Sequence, residues 1–215
     1  MDIAIFLLVY GILFIGELGD KTQLIVFNLA LEYKKFYKVG IGATLGFAAI
    51  VTIGILFGSI ITEFVPLNLI SLISGLIFIA IGLFELRNIK SLYLNERSIK
   101  SDSKDKQNNG EKEETESKDV GKFVWLKKNP YIAGFGFIFL MELGDKTQLL
   151  TITLASIYAA PIEVWLGAFL ALTSVAWIGI FAGAAIAKKV PKFYLKVVAV
   201  SIFIIVGVLV LISAF

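Results

Sequence analysis

Two identical strings of charged and polar residues lie inside apolar segments of this sequence. They are Glu17-Leu18-Gly19-Asp20-Lys21-Thr22 and Glu142-Leu143-Gly144-Asp145-Lys146-Thr147, and a glutamine follows each string. A charged side chain at bilayer depth costs at least ~2.5–3.5 kcal/mol on insertion scales, and such residues commonly mark an ion or substrate path. Two copies of the same costly string therefore indicate a functional site.

The carboxylates of the strings are of the type and spacing that bind a hard cation. Within each string the glutamate and the aspartate are three residues apart, which places them on one face of a continuous helix. The sequence has no histidine and no cysteine, so oxygen ligands favour calcium, manganese or magnesium over zinc or copper. We predict four metal ligands: Glu17, Asp20, Glu142 and Asp145.

Charge and proton binding at these carboxylates indicate exchange. Four carboxylates offset by two lysines leave two negative charges, which matches one divalent cation. A site that holds protons when empty and releases them to an arriving cation is, in outline, a cation/proton exchanger. The cation and the protons are transported, and no cofactor is predicted.

The remaining polar residues of the strings are predicted to support the site. They are Lys21, Thr22, Gln23, Lys146, Thr147 and Gln148. The lysines could be structural counter-ions or could also compete with the cation. The threonines would point away from the glutamates on a continuous helix, and they would join the site only if Gly19 and Gly144 mark a break.

Composition predicts an all-α integral membrane protein embedded in a lipid bilayer. The chain of 215 residues is 58% hydrophobic, with a mean hydropathy of +0.86, and segments of about 20 apolar residues are typical of transmembrane helices. Six such spans are predicted: Ile3–Leu31, Val39–Thr62, Pro66–Leu86, Pro130–Tyr158, Ile162–Ala187 and Phe193–Ala214. The first is expected to be a mature span, since it lacks the basic start of a signal peptide.

The two halves of the sequence match without a gap at an offset of 125 residues. The strings coincide, Gly42-Ala43 falls on Gly167-Ala168, and Gly82 falls on Gly207. The constant offset predicts two homologous units of three spans. Because three is odd, the second unit should enter the membrane from the opposite side, which gives an inverted-topology repeat.

Loop charges predict the orientation in the membrane. The first, third and fifth loops are rich in lysine and arginine, whereas the second and fourth contain neither. By the positive-inside rule, both termini should lie outside and the central loop in the cytoplasm. We predict a first repeat over residues 1–87, a charged and disordered linker over 88–128, and a second repeat over 129–215. A helical extension of the third span through Leu94 is an alternative for the start of the linker.

The duplicated string resembles the E-x-G-D-K-T motif of a known transporter family. This is the Golgi calcium/manganese–proton transporter family, also called uncharacterised protein family 0016, and the resemblance covers everything except the linker. It implies export of manganese or calcium from the cytosol in exchange for protons, here across a plasma membrane. It also implies that the four carboxylates bind the cation and the protons, with Lys21, Thr22, Lys146 and Thr147 in support.

Two other functions remain as alternatives at this point. The carboxylates could bind the ammonium group of a small organic cation such as a basic amino acid, which the protein would export. The charged residues could instead fasten helices together in a membrane scaffold that transports nothing. An enzyme is not predicted, because no nucleophile lies beside a base, and nucleic-acid binding has no support in the sequence.

Overall fold

The computed structural model describes residues 2–33, 35–102, 129–189 and 192–214, without the side chains of 21, 24, 25, 88–102, 182–189 and 192–195. Within these ranges the regular structure is entirely helical. The eight helices are α1 (Ile3–Glu17), α2 (Lys21–Glu32), α3 (Phe36–Phe64), α4 (Leu67–Asp102), α5 (Pro130–Glu142), α6 (Lys146–Tyr158), α7 (Pro161–Lys189) and α8 (Lys192–Ile212).

Several of these helices have the length and composition of membrane spans. Three stretches are long and apolar enough to cross a bilayer: Phe36–Phe64, Leu67–Arg87 and Pro161–Phe181. Three shorter apolar stretches are Ile3–Glu17, Pro130–Glu142 and Lys196–Ile212. Large apolar side chains such as Phe64, Phe84 and Phe181 are exposed on the helix surfaces, as expected where lipid is the solvent. The chain is therefore a multi-pass membrane protein.

The first and fourth predicted spans are not continuous helices. Each is divided at its charged string, the first into α1 and α2 and the second into α5 and α6. Gly19 and Gly144 both have positive φ, at 81° and 82°, and this backbone conformation cannot continue a right-handed helix. The open question about the glycines is thereby answered, because both mark a break.

Helix α4 is longer than the sequence predicts. The third span is predicted to end at Leu86 and the linker to start at 88, but the helix continues to Asp102. The stretch 87–102 contains no glycine or proline and is rich in Leu, Lys, Glu and Arg, which favour helix. The helix thus extends into the predicted linker over residues 88–102, and the rest of the linker, 103–128, lies outside the described residues.

Small residues bring α3 close to α5 and α6. A Cβ atom on Gly42 would strike the carbonyl of Tyr131 in α5, and one on Gly58 would lie 2.6 Å from the Cβ of Ala155 in α6. The helix backbones can approach this closely only because these positions lack a side chain.

Helix α7 packs in the corresponding way against the first half of the chain. A Cβ atom on Gly167 would lie 2.9 Å from the carbonyl of Phe6 in α1, and one on Gly179 would lie 2.5 Å from Cγ of Gln23 in α2. The contacts of α3 with α5 and α6 thus correspond, at the offset of 125 residues, to those of α7 with α1 and α2. The two charged breaks lie between α3 and α7, beside a core that includes Leu13, Phe78, Leu150 and Phe203.

Candidate functional site

The break in the first string is a type II β-turn. Leu18 has φ −65° and ψ 119°, Gly19 has φ 81°, and the amide of Asp20 donates to the carbonyl of Glu17 at 3.1 Å. A type II turn needs a positive φ at its third residue, which glycine adopts without a steric cost. The glycine of the string is therefore required by the backbone, and it ends α1 at the glutamate.

The second string repeats this geometry closely. Leu143 has φ −68° and ψ 112°, Gly144 has φ 82°, and the amide of Asp145 donates to the carbonyl of Glu142 at 3.2 Å. Identical residues thus fold into the same turn in both halves. Each turn places a glutamate at the carboxyl end of one helix and a lysine at the amino end of the next.

The glutamines of the strings stabilise the turns. The amide of Gly19 donates to Oε1 of Gln23 at 3.0 Å, and the amide of Gly144 donates to Oε1 of Gln148 at 2.6 Å. Nε2 of Gln23 also donates to the carbonyl of Val175 in α7 at 3.4 Å. In this structure the glutamine oxygens therefore serve backbone amides that a helix break would leave without a partner.

The two glutamates are buried and are linked through a threonine. Glu17 is 4% exposed and Glu142 is 1% exposed. The hydroxyl of Thr147 donates to Oε1 of Glu17 at 2.9 Å, and the hydroxyls of Thr22 and Thr147 lie close to the carboxylate of Glu142. The turns thus direct the threonines into the site, which a continuous helix would not do.

One oxygen of Glu142 has no hydrogen-bond partner. This atom, Oε2, is buried and unpaired among the described residues. Glu142 and Glu17 both border a small cavity whose other lining residues are Thr22, Gln23, Val26, Phe47, Leu172, Val175 and Ala176. A buried carboxylate oxygen without a partner is costly, so this oxygen is the clearest candidate atom for binding a cation or a proton.

Lys146 of the second string is in contact with the first string. Its ammonium nitrogen is 2.6 Å from Oδ2 of Asp20, 3.6 Å from Oε1 of Glu17 and 3.1 Å from the carbonyl oxygen of Gly16. The side chain is only 14% exposed. The lysine of the second string thus neutralises the carboxylates of the first.

Two charged residues outside the strings belong to the same cluster, and the sequence analysis missed them. Oε1 of Glu85 in α4 lies 3.5 Å from Nζ of Lys146, and Oε2 lies 3.1 Å from Nζ of Lys196 in α8. Both residues fall near the ends of predicted spans, so they were not considered as residues deep in the membrane. One signal in the sequence could have found them. Each is a charged residue within a span, and the residue at the matching position of the other repeat is uncharged: Val210 for Glu85 and Ser71 for Lys196.

The structure gathers only part of the predicted ligand set. Glu17, Glu142 and Asp20 lie around the contact between the strings, whereas Asp145 is exposed. The side chain of Lys21 lies outside the described residues. No three acidic side chains among those described are grouped as a metal site requires.

Comparison of the sequence with known proteins identifies the family of this chain. The model of the family described as divalent cation/proton antiporter GDT1 matches residues 5–92 and 130–215, on both sides of the linker. The chain belongs to the GDT1 family. It is also 29% identical over 184 residues to the GDT1-like protein sll0615 of Synechocystis sp., covering 83% of this chain and 82% of that protein. No solved structure matches it.

Membership of the GDT1 family confirms the predicted class of function. The family is one of divalent cation/proton antiporters, so cation transport is the activity to which the two strings must be related. The matched ranges contain all the residues of the site described above, including Glu85 and Lys196. The family description names neither the ion nor the residues that bind it.

Proposed function

We propose that this chain exports Mn²⁺, Ca²⁺ or both from the cytosol in exchange for protons, at one site formed by the two strings. The observation that carries the proposal is the meeting of Glu17 and Glu142. One buried glutamate comes from each half of the chain, both lie close to Thr147, and Oε2 of Glu142 has no hydrogen-bond partner among the described residues. A buried carboxylate with an oxygen that is not paired to a cationic side chain is suited to bind a proton and a metal cation in turn.

The choice of ion follows from the ligands within reach. The polar groups beside the glutamates are threonine hydroxyls, the Asp20 carboxylate and backbone carbonyls, and the sequence has no histidine or cysteine. Oxygen ligands of this kind suit Ca²⁺ and Mn²⁺. Asp145 would complete the predicted set of four carboxylates in a conformation that turns it inward.

The proposed architecture is a six-span inverted repeat in the plasma membrane. Both termini lie outside the cell, and the linker lies in the cytoplasm. Two observations support it: the two breaks have the same geometry, and the packing of α3 corresponds to that of α7. In such transporters, broken helices at the bilayer midplane bind the substrate, and the repeats rock around that site.

Flux measurements in proteoliposomes test the proposal. Wild-type protein should move Mn²⁺ or Ca²⁺ against its gradient when a pH gradient is imposed, and Glu17→Gln and Glu142→Gln should each abolish this flux. Glu63→Gln is a matched control, because Glu63 is an exposed carboxylate at the end of α3, and it should transport normally. Folded wild-type protein that carries neither ion would sink the proposal, and flux of lysine or arginine in its place would favour export of organic cations.

A further inference from the structure

The ammonium group of Lys146 is enclosed by oxygen atoms. Four oxygens surround it, from Asp20 at 2.6 Å, Gly16 at 3.1 Å, Glu85 at 3.5 Å and Glu17 at 3.6 Å. The Gly16 carbonyl lies at the carboxyl end of α1, where the helix dipole favours a positive charge. A cation that binds Glu17 and Asp20 must therefore displace this ammonium group.

Glu85 is placed to receive the displaced ammonium group. Its Oε1 already lies 3.5 Å from Lys146 Nζ, and both side chains border the same small cavity as Gly19 and Asp20. Its side chain is 13% exposed, so Lys146 could move toward it without leaving the protein interior. A buried ammonium left without any partner would strongly oppose binding of the cation.

Lys196 competes for the same carboxylate. Its Nζ lies 3.1 Å from Oε2 of Glu85, and its side chain is 24% exposed. Each bond that Glu85 makes to Lys196 reduces its attraction for Lys146. Neither Glu85 nor Lys196 has a charged equivalent in the other repeat, where Val210 and Ser71 stand, so this arrangement exists on one side of the site only.

We propose that Glu85 is a positioning residue that accepts the Lys146 ammonium when a divalent cation takes its place at Glu17 and Asp20, and that Lys196 limits how strongly it does so. This inference rests on the proposed function. In this arrangement the Lys146 ammonium competes with the transported cation for the same carboxylates. Glu85 and Lys196 then set the affinity for the cation on one side of the site without binding the cation themselves.

The test is the dissociation constant of Mn²⁺ for the purified full-length protein, measured by calorimetric titration at constant pH. Glu85→Gln should weaken binding by about tenfold, the typical effect of losing one charge-assisted hydrogen bond. Lys196→Gln should tighten binding, and it provides a second test if Glu85→Gln fails to fold. Glu63→Gln should bind as wild type does.

A purely electrostatic effect of the two charges would give the same signs, so the decisive variant lacks Lys146. If Glu85 acts through Lys146, Glu85→Gln should leave the dissociation constant unchanged in a Lys146→Gln background. An equal loss of affinity in that background would overturn the inference, as would an unchanged affinity in Glu85→Gln alone. Wild-type protein that binds neither Mn²⁺ nor Ca²⁺ would overturn the proposed function itself.

Discussion

The hydroxyl of Thr147 is a direct link between the two strings. It comes from the second half of the chain and donates to Glu17 of the first half at 2.9 Å, in a fully buried position. A buried carboxylate that loses a hydrogen-bond donor bears the cost of its own desolvation. The position of Glu17 in the site therefore depends on a residue that the turn at Gly144 directs inward.

Replacing Thr147 tests this link. Thr147→Val keeps the shape of the side chain and removes the hydroxyl, and we expect kcat/KM for Mn²⁺ to fall by about tenfold, as is typical for a hydrogen bond to a charged group. Thr147→Ser keeps the hydroxyl and should retain most of the activity. Equal activity of the valine and serine variants, measured as initial rates in proteoliposomes, would show that the hydroxyl has no role.

The two type II turns are the elements that make a site from two hydrophobic spans. Each ends one helix at a glutamate, starts the next at a lysine, and leaves a backbone amide for a glutamine to satisfy. A helix of ordinary geometry would place the same residues on one face and direct the threonines elsewhere. The glycine of each string is thus a structural requirement of the site.

Replacing two glycines with alanine, one at a time, distinguishes the requirement of the turn for a positive φ from the general effect of alanine on helix stability. A Cβ atom would meet nothing within 4 Å at either Gly144 or Gly11, but only Gly144 has a positive φ. Gly144→Ala should lower stability by about 1–2 kcal/mol, the cost of left-handed backbone for a residue with a Cβ. Gly11→Ala should be neutral or stabilising, since Gly11 lies within helix α1. Thermal unfolding in detergent compares them, and an equal response would contradict the turn.

Much of the element scale could be predicted from the sequence. The apolar segments and the repeat predicted the positions of the long helices. The two strings were identified because they put charged residues near the middle of predicted membrane spans. The breaks could be stated only as an alternative, because glycine is common within transmembrane helices and its φ is not visible in a sequence. Glu85 and Lys196 were missed because their importance comes from contact with Lys146, which depends on how α4 and α8 pack against α6 and α1.

At the scale of the whole molecule, the proposed inverted repeat makes a prediction about sidedness. Lys35 and Ala160 are equivalent at the offset of 125 residues and immediately precede α3 and α7. In an inverted repeat, Lys35→Cys should react with a membrane-impermeant thiol reagent from the cytoplasm and Ala160→Cys from outside. The chain has no native cysteine, so each variant reports alone. Labelling of both from the same side would exclude the inverted arrangement.

Exchange of protons for a cation at shared carboxylates also predicts a dependence on pH. Because protons and the cation compete, the KM for Mn²⁺ on the loading side should rise as the pH falls, by up to about tenfold per pH unit for each competing proton. The maximal rate at saturating Mn²⁺ should change less. Initial rates at several pH values on that side measure this, and a KM independent of pH would indicate that the protons are carried elsewhere.

The central claim is that both strings form one cation site. The most direct measurement is the number of Mn²⁺ ions bound per chain at saturation, for wild type, Glu17→Gln and Glu142→Gln. A single shared site predicts one ion for wild type and loss of that ion in each variant alone. Two ions bound by the wild type, with one retained in each variant, would mean that the strings bind separately and would contradict the claim.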